Sequence, residues 1–320
     1  MLSATVDNAL DQEALGRDLP ELLARARAEV GKAIVGQEEA LELILLAALA
    51  RGHVILEGPP GTAKTLLAQA MARVLGAKFQ RVQFTPDTSP TDLIGTVNVV
   101  RGEVFLERGA LFTNVLLADE INRTPPRVQA ALLEAMQERH VSVKGRTFFI
   151  DPPFFVMATQ NSFEHEGVYA ITESQLDRFI FKIDLDYGTE EHEIEMLSLP
   201  HRGVIPDMLG EVSALLGERG FLVAQEAVDE IRVPDDVAQL IVKTIRHTRT
   251  SPETELGASP RAALHLLTSA KARALAHGRQ SVGVEDVTHL APYVLVHRLR
   301  SDTPREVVKA AIAAGLETLG

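Results

Sequence analysis

A short apolar run, a loop rich in glycine and proline, and a helical pattern follow one another over residues 53–75 of this 320-residue chain. The loop reads Gly58-Pro-Pro-Gly-Thr-Ala-Lys-Thr65 and matches the pattern G-x-x-x-x-G-K-[ST], except that Ala63 replaces the second glycine. Glycines let backbone N–H groups turn inward around phosphate oxygens, and the N-terminus of the next helix adds partial positive charge. The segment therefore predicts a nucleotide-binding loop in an α/β fold.

The loop residues have separate expected roles. Lys64 is expected to reach the β and γ phosphates, and the hydroxyl of Thr65 to ligate Mg²⁺, while Ala63 still supplies its backbone N–H. The alternative is a glycine-rich turn that binds nothing. The residues predicted to contact the nucleotide are Gly58, Pro59, Pro60, Gly61, Thr62, Ala63, Lys64 and Thr65.

Two carboxylates end the apolar run that begins at Asn114. We expect Asp119 to hold the Mg²⁺ shell, so that Thr65 and Asp119 form the predicted metal site. We expect Glu120 to polarise a water molecule for in-line attack on the γ phosphate. A solvated acidic pair at a strand end is the alternative, and the presence of the phosphate-binding loop favours the catalytic interpretation.

A third polar site follows the apolar run at residues 154–157, where the chain reads Thr159-Gln160-Asn161. An amide at a strand terminus could orient the attacking water, and this is the predicted role of Asn161. The alternative is a turn-forming asparagine that caps the following loop.

Five apolar segments alternate with helical patterns in the first part of the chain. They cover residues 53–57, 79–84, 115–118, 154–157 and 179–183, with helical patterns at 65–75 and 127–139 between them. This alternation indicates a parallel sheet, and uniformly apolar strands indicate that both faces are covered. We predict a three-layer α/β core at residues 21–188 with a five-stranded parallel sheet.

The flanking segments differ from this core. Residues 1–20 carry acidic residues early, do not resemble a secretory signal, and are predicted to be a flexible leader. Residues 22–50 show helical spacing. Patterns at 234–249, 260–276 and 284–299 predict an all-helical second domain at residues 189–320.

Composition excludes several classes of protein. Asp and Glu total 44 against 32 for Lys and Arg, and the net charge of −12 argues against general nucleic-acid binding. The chain has no cysteine, which excludes disulfides and thiolate zinc sites and is typical of a cytoplasmic protein. The longest apolar run, at residues 43–50, is shorter than the about 20 residues of a membrane-spanning helix. We therefore expect no membrane insertion.

Several segments in a fixed order resemble the MoxR family of AAA+ ATPases, in the clade with an insert in the second helix. They are the Walker A loop at 58–65, residues 83–87, the Walker B segment at 116–126 with residues 131–138, the sensor 1 segment at 158–161, the arginine-finger segment at 175–179, and the lid segments at 257–261 and 278–287. The resemblance implies an AAA+ core followed by a helical lid, with ATP and Mg²⁺ as cofactors.

Carried over by position, the resemblance makes Asp119 and Glu120 the Walker B pair, Asn161 sensor 1, Arg178 the arginine finger and Arg261 sensor 2. A finger completes a neighbour's site by stabilising charge on the transferring phosphoryl group, so this role of Arg178 implies a ring. A surface arginine that pairs with Asp177 or Glu173 is the alternative.

Arg123 and Arg261 rival Arg178 as the cation supplied to a neighbour, because in this clade the lid can be displaced and sensor 2 can serve the adjacent subunit. The sequence leaves the choice between cis and trans open. The chain departs from the family pattern at Ala63 and at residues 170–172, which read Ala-Ile-Thr where relatives usually have Pro-Leu-Pro. The second departure affects the expected approach of Arg178.

Two segments are expected to face a substrate. Residues 95–109 resemble the helix-2 insert of the family. Residues 138–150 alternate like a hairpin that turns at Lys144-Gly145, and they resemble the pre-sensor-1 hairpin. Both would point into the pore of a ring. Two exposed hairpins that adjust subunit packing are the alternative.

The resemblance implies a cytoplasmic ATPase that hydrolyses ATP in a homo-oligomeric, hexameric ring and remodels or matures a client protein. It also implies a von Willebrand factor A domain partner on another chain. One alternative is a nucleic-acid motor, against which the net charge argues. The other is a nucleotide-gated, chelatase-like scaffold subunit with little turnover, against which Glu120 argues.

Overall fold

The computed structural model describes residue 14 and residues 17–100, 103–161, 169–198 and 209–317 of the chain. Most of the predicted leader at residues 1–20 therefore lies outside the described residues. Within the described ranges, no helix combines the length and apolar character needed to cross a membrane.

A five-stranded parallel sheet forms the centre of the fold, as predicted. The strands in chain order are β1 (Val54–Gly58), β2 (Phe79–Gln83), β3 (Gly95–Val100), β4 (Glu103–Arg108), β5 (Val115–Asp119), β6 (His140–Val143), β7 (Arg146–Phe149), β8 (Phe155–Asn161) and β9 (Phe181–Asp184). The sheet has the order β2-β5-β8-β1-β9, and every neighbouring pair is parallel. Parallel neighbours require crossover connections, which the helices provide.

Helices precede, connect and follow these strands. They are α1 (Leu19–Gly31), α2 (Glu38–Leu49), α3 (Lys64–Leu75), α4 (Pro90–Ile94), α5 (Pro126–Glu138), α6 (Glu173–Leu176), α7 (Glu190–Ser198), α8 (Gly217–Asp229), α9 (Asp235–Thr250), α10 (Pro260–Ala276), α11 (Val284–Leu295) and α12 (Pro304–Leu316), with 3₁₀ turns at Ile121–Arg123 and Val296–Arg298. The predicted helix at residues 284–299 is thus α11 and the second 3₁₀ turn.

Side chains of the central strands alternate between two apolar clusters. On β1, Val54 and Leu56 pack with helices α1, α2 and α3, whereas Ile55 packs on the opposite side with α4 and α5. Both sides of the strand are buried, which explains its uninterrupted apolar sequence. The result is the predicted three-layer core. Buried residues of α8 to α12 belong to the first cluster, so the helical region packs on that side.

Two antiparallel hairpins lie outside the sheet. β3 pairs with β4 within the segment that resembles the helix-2 insert. β6 pairs with β7, and the turn between them places Lys144 and Gly145 at φ +49° and +74°. Positive φ at both central residues is the requirement of a type I′ hairpin turn. The hairpin predicted at residues 138–150 is confirmed.

The helical pattern at residues 22–50 forms two helices rather than one. α1 ends at Gly31 and α2 begins at Glu38. Gly36, between them, has φ +77°, a conformation that favours glycine and interrupts a helix. A Cβ atom at Gly36 would lie 2.5 Å from Nδ1 of His192, so the break also makes room for that ring. Apolar spacing alone does not report such a break.

Candidate functional site

The carboxyl ends of β1, β5 and β8 meet at one edge of the sheet, called the carboxyl edge below. β1 leads into the loop at residues 58–65, β5 leads into Asp119 and Glu120, and β8 ends at Asn161. Gly58 and Asn161 are register partners on neighbouring strands. In open α/β sheets, ligands bind in the crevice outside this edge. The structure thus brings these predicted residues together.

The backbone of the loop forms a cradle at the start of α3. Gly61 and Ala63 have φ +88° and +57°, and α3 begins at Lys64. Successive N–H groups in such a conformation, at a helix N-terminus, form an anion-binding concavity. A Cβ atom at Gly61 would meet nothing within 4 Å, whereas one at Gly58 would lie 2.2 Å from the carbonyl oxygen of Leu185. The space beside Gly61 is therefore open, whereas Gly58 is packed closely against the backbone of Leu185.

Lys64 folds back over this cradle. Its Nζ donates to the carbonyl oxygens of Gly58 and Pro59, at 2.8 and 2.7 Å. Burial lowers the pKa of Lys64, and the charges of Asp119 and Glu120 oppose that shift. The ammonium group is thus held within the loop and electrostatically tied to both carboxylates.

Asp119 is buried and accepts hydrogen bonds from three side chains. The Thr159 hydroxyl donates to Oδ1 at 2.6 Å, and the Thr65 hydroxyl lies 3.2 Å from Oδ2. Nη2 of Arg81 lies 2.7 Å from the same Oδ2. Two oxygen ligands about 2.9 Å apart form the edge of a Mg²⁺ octahedron with bonds of about 2.0–2.1 Å. The oxygens of Thr65 and Asp119 therefore fit that cation in type, and their 3.2 Å separation is slightly wider than that edge.

Glu120 has a left-handed backbone, with φ +59°. Its N–H donates to the Thr159 hydroxyl oxygen at 2.9 Å, which aligns the residue with the end of β8. Its carboxylate accepts from Nε2 of Gln83 at 2.8 Å and pairs with Nε of Arg123 at 3.1 Å. Strained backbone conformations of this kind persist where the surrounding structure holds them, and they concentrate at functional sites.

The sequence predicts no role for Arg81, and Gln83 stands out only as part of the family-like segment at residues 83–87. Both lie on β2, two residues apart, and Gln83 is the register partner of Asp119. Arg81 also donates to the Gln83 side-chain oxygen at 2.8 Å, so the two residues connect the carboxylates of Asp119 and Glu120. Two long polar side chains at positions i and i+2 of a strand lie on one face of the sheet. This spacing near the end of β2 was the sequence signal that could have indicated a role for both residues.

Arg178 lies at the opposite, amino edge of the sheet. It precedes β9, whose first residue, Phe181, is the register partner of Val54 at the start of β1. Its Nη1 donates to the Ser174 carbonyl oxygen at 2.8 Å, and its Nε to Oε1 of Gln137 at 3.3 Å. The predicted alternative partners are engaged elsewhere. Glu173 pairs with Arg300 at 2.7 Å, and Asp177 pairs with Arg298 at 2.9 Å.

The two rival cations lie at different edges. Arg261, in the first turn of α10, has Nη1 3.7 Å from Asp177 and Nη2 3.4 Å from Oε1 of Gln137, the oxygen that also accepts from Arg178. Arg261 therefore lies beside Arg178 at the amino edge. Arg123 lies at the carboxyl edge, paired with Glu120 of its own chain.

A buried histidine, His53, connects two elements at the amino edge of the sheet. His53 precedes β1, and its Nδ1 accepts the Val156 N–H at 3.0 Å while Nε2 lies 3.3 Å from the Met136 carbonyl oxygen. Nε2 therefore carries the hydrogen. Burial, with a contribution from the charge of Arg139, lowers the pKa of His53 to about 3. The ring is neutral and links β8 to α5.

Residues 53–181 match the ATPase family associated with various cellular activities, and residues 246–313 match the AAA lid domain, so fold and site define an AAA+ ATPase. The chain is 45% identical over 288 residues to the chaperone MoxR1 of Mycobacterium tuberculosis, covering 87% of this chain and 75% of that protein. This chain belongs to the MoxR family of AAA+ ATPases, as its motifs predicted.

Two further proteins are similar to this chain over most of its length. The uncharacterized protein YeaC of Bacillus subtilis is 42% identical over 284 residues, which cover 88% of each chain. The crystal structure of a protein described as an ATPase from Cytophaga hutchinsonii has a TM-score of 0.82 and 31% identity, and the match covers 98% of each chain. The similarity thus extends through the core and the helical region alike.

Proposed function

We propose that this chain binds ATP with Mg²⁺ at its carboxyl edge, hydrolyses the γ phosphate, and does so in a ring whose neighbouring subunit supplies Arg178. One observation carries the proposal. The loop, Asp119 and Glu120 lie at one edge of the sheet, whereas Arg178 lies at the other. A chain with the two halves of a phosphoryl-transfer site at opposite edges completes each site only with a second copy.

Within one subunit, the loop N–H groups and Lys64 would hold the phosphates, and Thr65 with Asp119 would hold the cation. Mg²⁺ supplies neutralisation of the charge that develops on the phosphoryl oxygens. Glu120 would polarise the attacking water, and Asn161 would orient it. To reach a phosphate, Lys64 must leave the carbonyl oxygens of the loop. Its ammonium group would then exchange neutral hydrogen-bond acceptors for charged ones.

At the amino edge, Arg178 would stabilise charge on the phosphoryl group bound to the adjacent subunit. Arg261 would assist in trans as sensor 2, since it shares the Gln137 oxygen with Arg178. Arg123 pairs with Glu120 of its own chain, which favours a role in cis. We therefore propose Arg178 and Arg261 as the residues acting in trans and Arg123 as a residue acting in cis.

The ring is proposed to be hexameric and cytoplasmic, and to remodel or mature a client protein with a von Willebrand factor A domain partner. The name of the relative MoxR1 as a chaperone supports the client role. The net charge of −12 disfavours a nucleic-acid substrate.

The deciding experiment is mass photometry with and without ATP and Mg²⁺, beside a phosphate-release assay on the wild type and Glu120→Gln. We expect nucleotide-dependent rings from both proteins and turnover from the wild type alone. A monomer that binds ATP without hydrolysing it would contradict the ring. Undiminished turnover by Glu120→Gln would contradict the role of Glu120.

A further inference from the structure

Arg298 is an almost fully buried cation beside the segment that bears Arg178. Its side chain is 1% exposed. Nε donates to Oδ1 of Asp177 at 2.9 Å, and the two terminal nitrogens donate to the backbone carbonyl oxygens of Asp177, Phe179 and Ile180. These carbonyls flank Arg178 on both sides. One guanidinium thus holds residues 177–180 by backbone and side chain together.

The remaining bonds of Arg298 belong to the helical region. Nη1 donates to the Val294 carbonyl oxygen in α11, and Nη2 to Nδ1 of His265 in α10. Every nitrogen of the guanidinium therefore has a partner. A lysine could not reproduce this arrangement, because an ammonium offers three donors from one point, whereas the guanidinium offers five in a planar fork, one of which is shared between two of the six acceptors.

Asp177 extends the same connection toward α10. Its carboxylate accepts from the hydroxyl of Ser259, the N-cap of that helix, at 2.9 and 3.0 Å. Arg261, the second residue of α10, lies 3.7 Å from the same carboxylate. The segment that bears Arg178 is thus joined to the helical region through a charged, hydrogen-bonded junction formed by Asp177, Ser259, Arg261, His265 and Arg298, called the Asp177 junction below.

We propose that Arg298 is the positioning residue for Arg178, and that the Asp177 junction makes the arginine finger move as one body with the helical region of its own subunit. The proposal rests on the proposed trans role of Arg178. Its consequence is directional. A displacement of the helical region in one subunit would move the finger that serves the next subunit's ATP.

A mixing experiment separates giving a finger from receiving one. The Arg178→Ala chain keeps an intact ATP site but lacks a finger, whereas the Lys64→Ala chain lacks a working site but keeps its finger. Their mixture should turn over ATP at mixed interfaces. We expect Lys64→Ala/Arg298→Lys to lose this rescue by about 100-fold, the effect of misplacing a catalytic group by about 1 Å.

The receiving test excludes a merely structural effect. Arg298→Lys alone, mixed with Lys64→Ala, should recover turnover, because its own ATP site receives an intact finger. Asp177→Asn provides a second variant should Arg298→Lys not fold, since it keeps the size of the side chain and removes the charge that Arg298 pairs with. Both should bind a fluorescent ATP analogue as the wild type does.

Arg273→Lys is the matched control. Arg273 is another enclosed arginine of the helical region, and it pairs at 2.8 Å with buried Asp286, which is not part of the junction. The Arg273→Lys chain should both supply a working finger to a neighbour and use the finger of a neighbour as the wild type does. The positioning role would be overturned if Lys64→Ala/Arg298→Lys still rescued Arg178→Ala. It would also be overturned if Arg298→Lys mixed with Lys64→Ala did not recover turnover. No rescue in the reference mixture of Arg178→Ala and Lys64→Ala would instead overturn the trans finger, and the positioning role with it.

Discussion

Arg81 and Asp119 form an ion pair between neighbouring strands, with 2.7 Å between Nη2 of the arginine and Oδ2 of the aspartate. Asp119 is also the carboxylate proposed to hold Mg²⁺. In that role Asp119 would offer Mg²⁺ the same oxygen that the guanidinium contacts, so the two cations would compete for it. The Arg81 guanidinium is thus a counter-ion for Asp119 supplied by the protein itself.

Replacing Arg81 by alanine should strengthen Mg²⁺ binding, because the competing cation is removed. Half-exposed ion pairs contribute about 0.2–1 kcal/mol, so the Mg²⁺ concentration for half-maximal binding of a fluorescent ATP analogue should fall up to about five-fold. Gln80→Ala, at an exposed position of the same strand, is the control and should leave it unchanged. A higher Mg²⁺ requirement in Arg81→Ala would mean that Arg81 supports the bound nucleotide.

Replacing Gln83 by alanine should raise basal ATP turnover about two- to ten-fold. The Gln83 amide donates to the Glu120 carboxylate, and a hydrogen bond to the charged form of a base weakens it by about 0.5–1.5 kcal/mol. Phosphate release at saturating ATP measures the effect. The double variant Gln83→Ala/Glu120→Gln is the control and should remain inactive. A fall in turnover would assign Gln83 a role in orienting Glu120.

Replacing Ala63 by glycine should raise the free energy of unfolding by up to about 1 kcal/mol. Ala63 has φ +57°, and a left-handed conformation costs an L-residue roughly 1–2 kcal/mol, which the greater flexibility of unfolded glycine partly offsets. Ala130→Gly, at an exposed position within α5, should lower stability by about 1 kcal/mol. Denaturant unfolding followed by circular dichroism compares the two. Equal losses would contradict strain at Ala63.

Stability should decrease as the pH falls below about 6.5. The pKa of His53 is about 3 in the folded chain against 6.5 for an ordinary histidine. Between these values the unfolded chain binds more protons, so acid favours unfolding, with a slope of up to about 1.4 kcal/mol per pH unit from this residue. His53→Gln retains an acceptor and a donor and should reduce the slope by that amount.

The measurement is the unfolding free energy at several pH values between 5 and 7.5. His140→Gln, on the β6–β7 hairpin, serves as the control and should keep the wild-type slope. If His53→Gln also kept that slope, the neutral state of the buried ring would not contribute to the pH dependence.

The sequence determined the features that depend on neighbouring residues. The loop at residues 58–65, the uniformly apolar strands and the turn at Lys144-Gly145 follow from local backbone preferences and from burial on both sides of a strand. The parallel sheet follows from their alternation with helices. For that reason the fold class and the placement of the loop, Asp119, Glu120 and Asn161 at strand ends could be predicted before any contact was known, whereas the family was predicted from the resemblance of its motifs.

Tertiary structure alone decided which distant residues meet. The contacts of Arg81 with Asp119 and of Gln83 with Glu120 depend on the register between β2 and β5. Arg178 and Arg261 lie at the amino edge of the sheet, whereas Arg123 lies at the carboxyl edge. The distances between these residues along the chain do not show which edge each one reaches. Arg298 was not predicted for the same reason: its partners lie up to 121 residues away, and only packing of the helical region against the core brings them within hydrogen-bonding distance.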